Sequence, residues 1–127
     1  MIKPVSQMVD EANAIVDHMP AAQAKSLLGK EDVTFVDLRD VRELKREGRI
    51  PGAMHCPRGM LEFWLDPASP YAKPEFQSGG TFVFFCAMGW RSALSAKTAH
   101  DMGLDGVMHI EDGFKGWVEA DGPVERD

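Results

Sequence analysis

Thr81-Phe82-Val83-Phe84-Phe85-Cys86-Ala87-Met88-Gly89-Trp90-Arg91-Ser92 is the stretch on which the fold turns. Thr81 to Phe85 are β-branched or aromatic, which marks a strand. Gly89 permits backbone conformations that other residues resist, and Ser92 through Met102 reads as a helix of alanines and leucine. Cys86 is therefore delivered off a strand, through a tight turn, to a helix N-terminus. Backbone N–H groups there lack intrahelical partners, the helix dipole is positive, and Arg91 adds a full charge, so an anion on sulfur is favoured three ways. Thiols in such surroundings titrate at roughly 3.5–7.5 in place of ~8.5. Free cysteines are more often buried and inert; the glycine and arginine downstream reverse that preference at Cys86.

Cys86-Ala87-Met88-Gly89-Trp90-Arg91 resembles the active-site loop of the rhodanese (sulfurtransferase) family, whose single-domain members carry a Cys-x-x-Gly-x-Arg pattern. Upstream, Val36-Asp37-Leu38-Arg39, Glu43 and Gly48-Arg49-Ile50-Pro51-Gly52-Ala53-Met54-His55-Cys56-Pro57 resemble the family's amino-terminal signature. Downstream, Ile110-Glu111-Asp112-Gly113-Phe114-Lys115-Gly116-Trp117 and Gly122-Pro123-Val124 resemble its carboxy-terminal one. The three occur in the expected order from about Ala21 to Val124. Two positions depart from the pattern. Arg49 stands where the family usually has histidine, and Asp112-Gly113 where it usually has a glycine pair.

The remainder of the chain is read as strands alternating with helices. An amphipathic helix over Pro4 to Met19, with Val5, Met8, Ala12, Ile15 and Met19 at steps of three and four, precedes the recognisable domain. This divides the chain into an extension, 1–20, and a rhodanese-like domain, 21–127. A short helix over Ala21 to Leu28 closes at Gly29, and Val33 to Leu38 is a strand. Asp40 to Glu47 is helical, Ala53 to Cys56 a short strand, and Gly59 to Leu65 a helix. Pro67, Pro70 and Pro74 interrupt the segment between that helix and Gly80. Val107 to Ile110 is a further strand and Phe114 to Ala120 the last helix. This order implies an α/β domain, a parallel sheet flanked by helices on both faces. In such sheets ligands bind beyond the carboxyl ends of the strands, where Cys86 falls.

The chain has 127 residues, the size of one domain, and its 44% hydrophobic and 27% charged residues are those of a packed globular protein. A net charge of -6 argues against nucleic acid as a partner. Against that background Arg39, Arg42, Arg49, Arg58 and Arg91 stand out as cations for an anionic substrate. Pairing with Asp40, Glu43 and Glu47 is the competing reading for all of them except Arg91. No stretch is long and apolar enough to span a bilayer and no secretory signal comes after Met1, which predicts a cytoplasmic protein without a membrane partner. Cys56 is read as core. His18, His55, His100 and His109 have no spacing that suggests a metal site, and none is assigned; no cofactor is expected either. Oligomeric state is not legible.

The resemblance implies sulfane-sulfur transfer through a persulfide on Cys86, from a donor such as thiosulfate to a thiol or cyanide. Backbone N–H groups from Ala87 to Ser92 would form an anion nest. Arg91 would support the charge or orient the donor, and Trp90 could cover one side of the pocket. Asp37 and Arg39 are read first as structural, with Arg39 a candidate for the pocket wall and Arg58 a candidate donor contact. The rival enzymatic reading is a related phosphatase or arsenate reductase. Those enzymes use a longer loop between cysteine and arginine than the four residues Ala87, Met88, Gly89 and Trp90. A rival of another class is a persulfide carrier or redox module that hands sulfur to a partner protein.

Overall fold

The computed structural model describes residues 1–127. Five parallel strands form one sheet: β1 (Asp17–Met19), β2 (Val33–Asp37), β3 (Met54–His55), β4 (Thr81–Phe85) and β5 (Val107–Ile110), in the order β1-β5-β4-β2-β3. The helices are α1 (Val5–Asn13), α2 (Ala21–Ala24), α3 (Val41–Glu47), α4 (Leu61–Leu65), α5 (Trp90–Asp101) and α6 (Gly113–Glu119). Short 3₁₀ turns lie at Lys25–Leu27, Arg58–Met60 and Pro74–Gln77.

After Thr81, β4 is apolar because it is covered on both faces. Phe82 and Phe84 point to one side and join Val36, Leu61, Leu65, Ala96 and Ala99. Val83 and Phe85 point to the other and join Phe35, Ile50, Phe114 and Trp117. The two-residue alternation of a strand thus feeds two cores. One core lies under α4 and α5, the other under α2 and α6. β2 continues outward to β3, whereas β4 lies on its opposite side, so the strand order reverses between β2 and β4. The carboxyl ends at this reversal, Asp37 and Phe85, are paired in register, and Cys86 is the next residue, at the position where open α/β sheets bind ligands.

The amino-terminal segment differs from its expected form. The helix stops at Asn13 and Asp17–Met19 form the edge strand β1, paired in parallel with β5. Of the expected stripe Ile15 is exposed and Met19 packs against the core under α2 and α6, while Val16 enters the core on the other face. The edge of β5 supplies what the local pattern cannot show, a row of unpaired backbone groups; Glu111 N–H donates to Met19 O at 2.9 Å. On α1 the buried residues are Val9 and Ala12, which pack on Ala93 of α5, whereas Val5 and Met8 are exposed. Ala21 to Leu28 is a single α-turn continued by a 3₁₀ turn, with Leu28 already extended. The helix expected from Gly59 to Leu65 begins as the 3₁₀ turn Arg58–Met60 before α4.

Candidate active site

α5 begins without a conventional cap. Gly89 occupies its N-cap position at φ +102°, left-handed backbone, and has no side chain to offer the first N–H groups. Cys86 takes over that task. Its Sγ accepts the N–H of Gly89 at 3.2 Å and that of Ser92, in the first helical turn, at 3.3 Å. The sulfur thus sits where a serine or aspartate cap oxygen would, facing orphan donors and the positive end of a twelve-residue helix. Only glycine fits at 89, since a Cβ there would lie 2.1 Å from the carbonyl oxygen of Glu111.

The loop is clamped from below by α6. Phe114 N–H donates to Cys86 O at 2.8 Å and Lys115 N–H to Ala87 O at 3.1 Å. Gly113, at φ +62°, makes this approach possible, because a Cβ would meet the carbonyls of Ala87 and Cys86. The departure at Asp112 has its own use: Asp112 Oδ1 accepts the N–H of Ala21 at 2.7 Å and satisfies an orphan donor at the start of α2.

Arg91 is not left free. It forms a two-pronged ion pair with Glu43, Nη1 to Oε1 at 2.7 Å and Nη2 to Oε2 at 3.0 Å. The expectation of an unpaired Arg91 fails because Glu43, the third residue of α3, faces it across the loop. Glu43 also accepts the Asp40 N–H in the capping box of α3, and the Arg91 guanidinium holds its carboxyl below the usual range. The guanidinium is therefore engaged by a carboxylate, and the backbone N–H groups of Gly89 and Ser92 are what touch the sulfur directly.

Arg39 is fully buried. It bonds the Asp37 carboxylate with Nε at 3.0 Å and Nη2 at 2.8 Å, donates to Gly48 O at 3.0 Å, and lies 4.1 Å from the ring centre of Phe114. Its place is beneath the loop as a brace between β2, α3 and α6, rather than on a pocket wall. Its Nη1 has no hydrogen-bond partner and lies 3.7 Å from Glu47. Arg58 pairs with Glu62 at 2.9 Å and approaches Thr98 Oγ1, about 12 Å along α5 from its start at 1.5 Å per residue. The structure does not bring it to the sulfur. Arg49 is tied to Glu125 and Asp127 of the carboxy-terminal tail.

Met88 and Trp90 form an exposed apolar tip on the loop, 65% and 52% accessible, so Trp90 faces solvent. Ala87 and Met88 edge a groove of about 500 Å³ floored by Phe114 and Val118. Arg46, Lys115 and Arg126 border it against Glu47 and Glu119. Cys86 itself is 1% exposed. Cys56 is buried, and burial pushes its thiol up to about 12.

One cluster is not apparent from the sequence. Cys86 Sγ lies 3.6 Å from Ser92 Oγ, Ser92 Oγ is 2.9 Å from Nδ1 of His109, and His109 Nε2 is 2.6 Å from Asn13 Oδ1 at the end of α1. His109 is fully buried, and burial first, then the proximity of His18, lowers its pKa to about 4. The available signal was its place in β5, two residues after Val107 and so on the same buried face.

A family model described as rhodanese-like domain matches residues 20–120. The chain is 30% identical over 101 residues to a mouse protein named thiosulfate sulfurtransferase/rhodanese-like domain-containing protein 3, covering 76% of this chain and 64% of the mouse protein. A Rhodopseudomonas palustris structure, described as a protein of unknown function and possible tyrosine phosphatase, is 54% identical with a TM-score of 0.95 and covers 98% of this chain and 96% of its own. The polysulfide-sulfur transferase homodimer of Wolinella succinogenes is 29% identical with a TM-score of 0.75, over 96% and 87% of the two chains. With the matched segment running from the start of α2 through the end of α6, and the sheet, loop and clamp all in place, this chain belongs to the rhodanese-like domain family.

Proposed function

We propose that this protein is a sulfurtransferase that moves a sulfane sulfur from a donor such as thiosulfate to a thiol or cyanide through a persulfide on Cys86. The observation that carries the reading is the position of Sγ, bonded by the N–H groups of Gly89 and Ser92 at the start of α5. In the first half-reaction the Cys86 thiolate attacks the outer sulfur of the donor. A new S–S bond forms, the donor's S–S bond breaks, and sulfite leaves with the electron pair when the donor is thiosulfate. In the second, a thiolate or cyanide attacks the terminal sulfur and Cys86 regains its electron pair as thiolate. Ping-pong kinetics are the consequence. N–H donors fixed in advance stabilise the thiolate and the persulfide anion without reorganisation. The cations bordering the groove, three against two carboxylates, support an anionic donor.

The phosphatase description of the Rhodopseudomonas palustris protein is the reason to weigh that reading here. Phosphoryl transfer would bring the oxyanion into the loop itself, in reach of Arg91, which is instead engaged by both oxygens of Glu43, whereas thiosulfate presents only its outer sulfur to the loop. The exposed Met88 and Trp90 at the loop tip favour a third possibility, delivery of the sulfur to a protein acceptor. Intact-mass measurement after exposure to thiosulfate, 3-mercaptopyruvate and polysulfide tests the main reading. One added sulfur on Cys86, absent from Cys86→Ser, is expected, with thiocyanate formed from cyanide. No adduct with any donor, together with aryl-phosphate hydrolysis that Cys86→Ser abolishes, would overturn it. An adduct that small acceptors discharge slowly and a protein thiol discharges fast would identify a carrier.

A further inference from the structure

The buried chain Cys86–Ser92–His109–Asn13 is more than packing, because its polar atoms are matched to two states of one sulfur. Ser92 and His109 are both fully buried, and His109 reaches α1 through a bond of 2.6 Å to Asn13. A neutral imidazole has one N–H, on either nitrogen. With the proton on Nε2, His109 donates to Asn13 Oδ1 and its Nδ1 accepts the Ser92 hydroxyl, leaving a Ser92 lone pair for the thiol S–H. With the proton on Nδ1, His109 donates to Ser92 Oγ. The hydroxyl hydrogen then turns to the sulfur, and Nε2 accepts an N–H of the Asn13 amide once that amide is rotated. Every polar atom of this cluster has a partner in both arrangements, and Gly89 O, 3.3 Å from Ser92 Oγ, is the further acceptor within reach of the hydroxyl. Between them the sulfur loses one proton, to solvent, and the imidazole keeps one N–H, moved from Nε2 to Nδ1.

We propose that His109 and Asn13 are positioning residues for Cys86, which switch the Ser92 hydroxyl from acceptor for the thiol to donor for the thiolate and the persulfide. Asn13 lies outside the 20–120 segment that the family model matches, so α1 completes the site from beyond the common domain. The switch requires a neutral His109, and the surroundings provide it. The titratable groups acting on the ring are His18 of β1, at 5.7 Å between ring centres, and Glu111, which is held by His18 at 2.8 Å. Cys86 lies beyond Ser92 on the loop side. α1 and α5 present only the neutral Asn13 and Ser92 to the ring nitrogens.

The persulfide half of this inference rests on the sulfurtransferase reading; the thiol–thiolate half does not, and the test separates them. In the full chain with ¹⁵N-labelled histidine, NMR would report which ring nitrogen of His109 carries the proton, while thiolate absorbance tracks the ionisation of Cys86. The proton should move from Nε2 to Nδ1 in step with thiolate formation and stay put in Cys86→Ser. An unchanged tautomer would overturn the proposal, whatever the sulfur-transfer assay shows. In the second arm, the rate of thiolate alkylation by iodoacetamide is measured against pH. Ser92→Ala should slow it about three- to tenfold near neutral pH, the range set by one lost hydrogen bond. His109→Leu should slow it alike alone and add nothing in the Ser92→Ala background, whereas His109→Asn, which keeps a reversible partner for Ser92, should recover part of the rate. Additive losses would mean that His109 is only a packing residue.

Discussion

Burial pushes the Cys56 thiol up to about 12, so at neutral pH it remains protonated in the core, whereas Cys86 accepts two backbone N–H groups. Native alkylation with mass mapping is therefore expected to modify Cys86 alone. Cys86→Ser should keep the fold and lose sulfur loading, because a hydroxyl still caps α5 but is not ionised. Cys56→Ser should do the reverse and cost stability by burying a hydroxyl. A Cys56 variant that folds normally yet fails to load sulfur would contradict the assignment. Beneath the loop, Arg39 and Asp37 form a buried pair whose separation is expensive. Arg39→Met should lower unfolding stability by about 3–5 kcal/mol in denaturant titration, since it strands the Asp37 carboxylate. Across the loop, Glu43→Gln frees one side of Arg91. If that pair is what turns the loop away from oxyanions, inhibition by phosphate should strengthen several-fold in this variant. The Glu43 carboxyl is held below the usual range, so the pair is intact above about pH 4.5 and is lost as the pH falls through the depressed value.

Elements became legible where local pattern and tertiary role coincide. β4 announces itself because both of its faces are core, and α5 comes next because Gly89 allows the turn that starts it. That glycine carries a prediction. Gly89→Ala combines a left-handed residue with a Cβ 2.1 Å from Glu111 O, and the loop must move to relieve the clash. Sulfur loading should fall together with stability, by at least the ~1–3 kcal/mol of a strained backbone position, as thermal unfolding would register. β1 was not legible, since three residues become a strand only because β5 offers them an edge. Nor were the pairings that decide the electrostatics. Arg91 and Glu43 are 48 residues apart and His109 and Asn13 are 96 apart, and no local periodicity reports a contact across such distances. The loop's sequence suggests a nest of N–H groups from Ala87 to Ser92, of which those of Gly89 and Ser92 bond the sulfur; the side-chain partners come from α1, α3 and β5, elsewhere in the fold.

For the whole molecule, the buried histidine couples the integrity of the fold to pH. His109 sits between α1, α5 and β5, and its pKa is lowered to about 4 from 6.5, chiefly by burial. A depressed histidine means that the unfolded chain binds a proton the native chain refuses. Stability is then complete above the unfolded value near 6.5 and declines as the pH falls towards 4. The loss over that window is about 3 kcal/mol at 1.36 kcal/mol per pKa unit. The depressed carboxylates, Asp40 at about 2 with Glu11 and Glu43 below their usual range, lose their stabilising contributions only from about pH 4.5 downward, so the upper part of the window isolates the imidazole. Urea titrations between about pH 7 and 5 should show a falling midpoint in the natural chain and a nearly flat one in His109→Asn. The opposite slope, or an equal slope in both proteins, would place the proton elsewhere. Because α1 meets the ring through Asn13, acid should also loosen α1 from α5 before the sheet unfolds. Hydrogen exchange at about pH 5 is expected to show this first at the amides of Val9 and Ala12, whose side chains pack on Ala93.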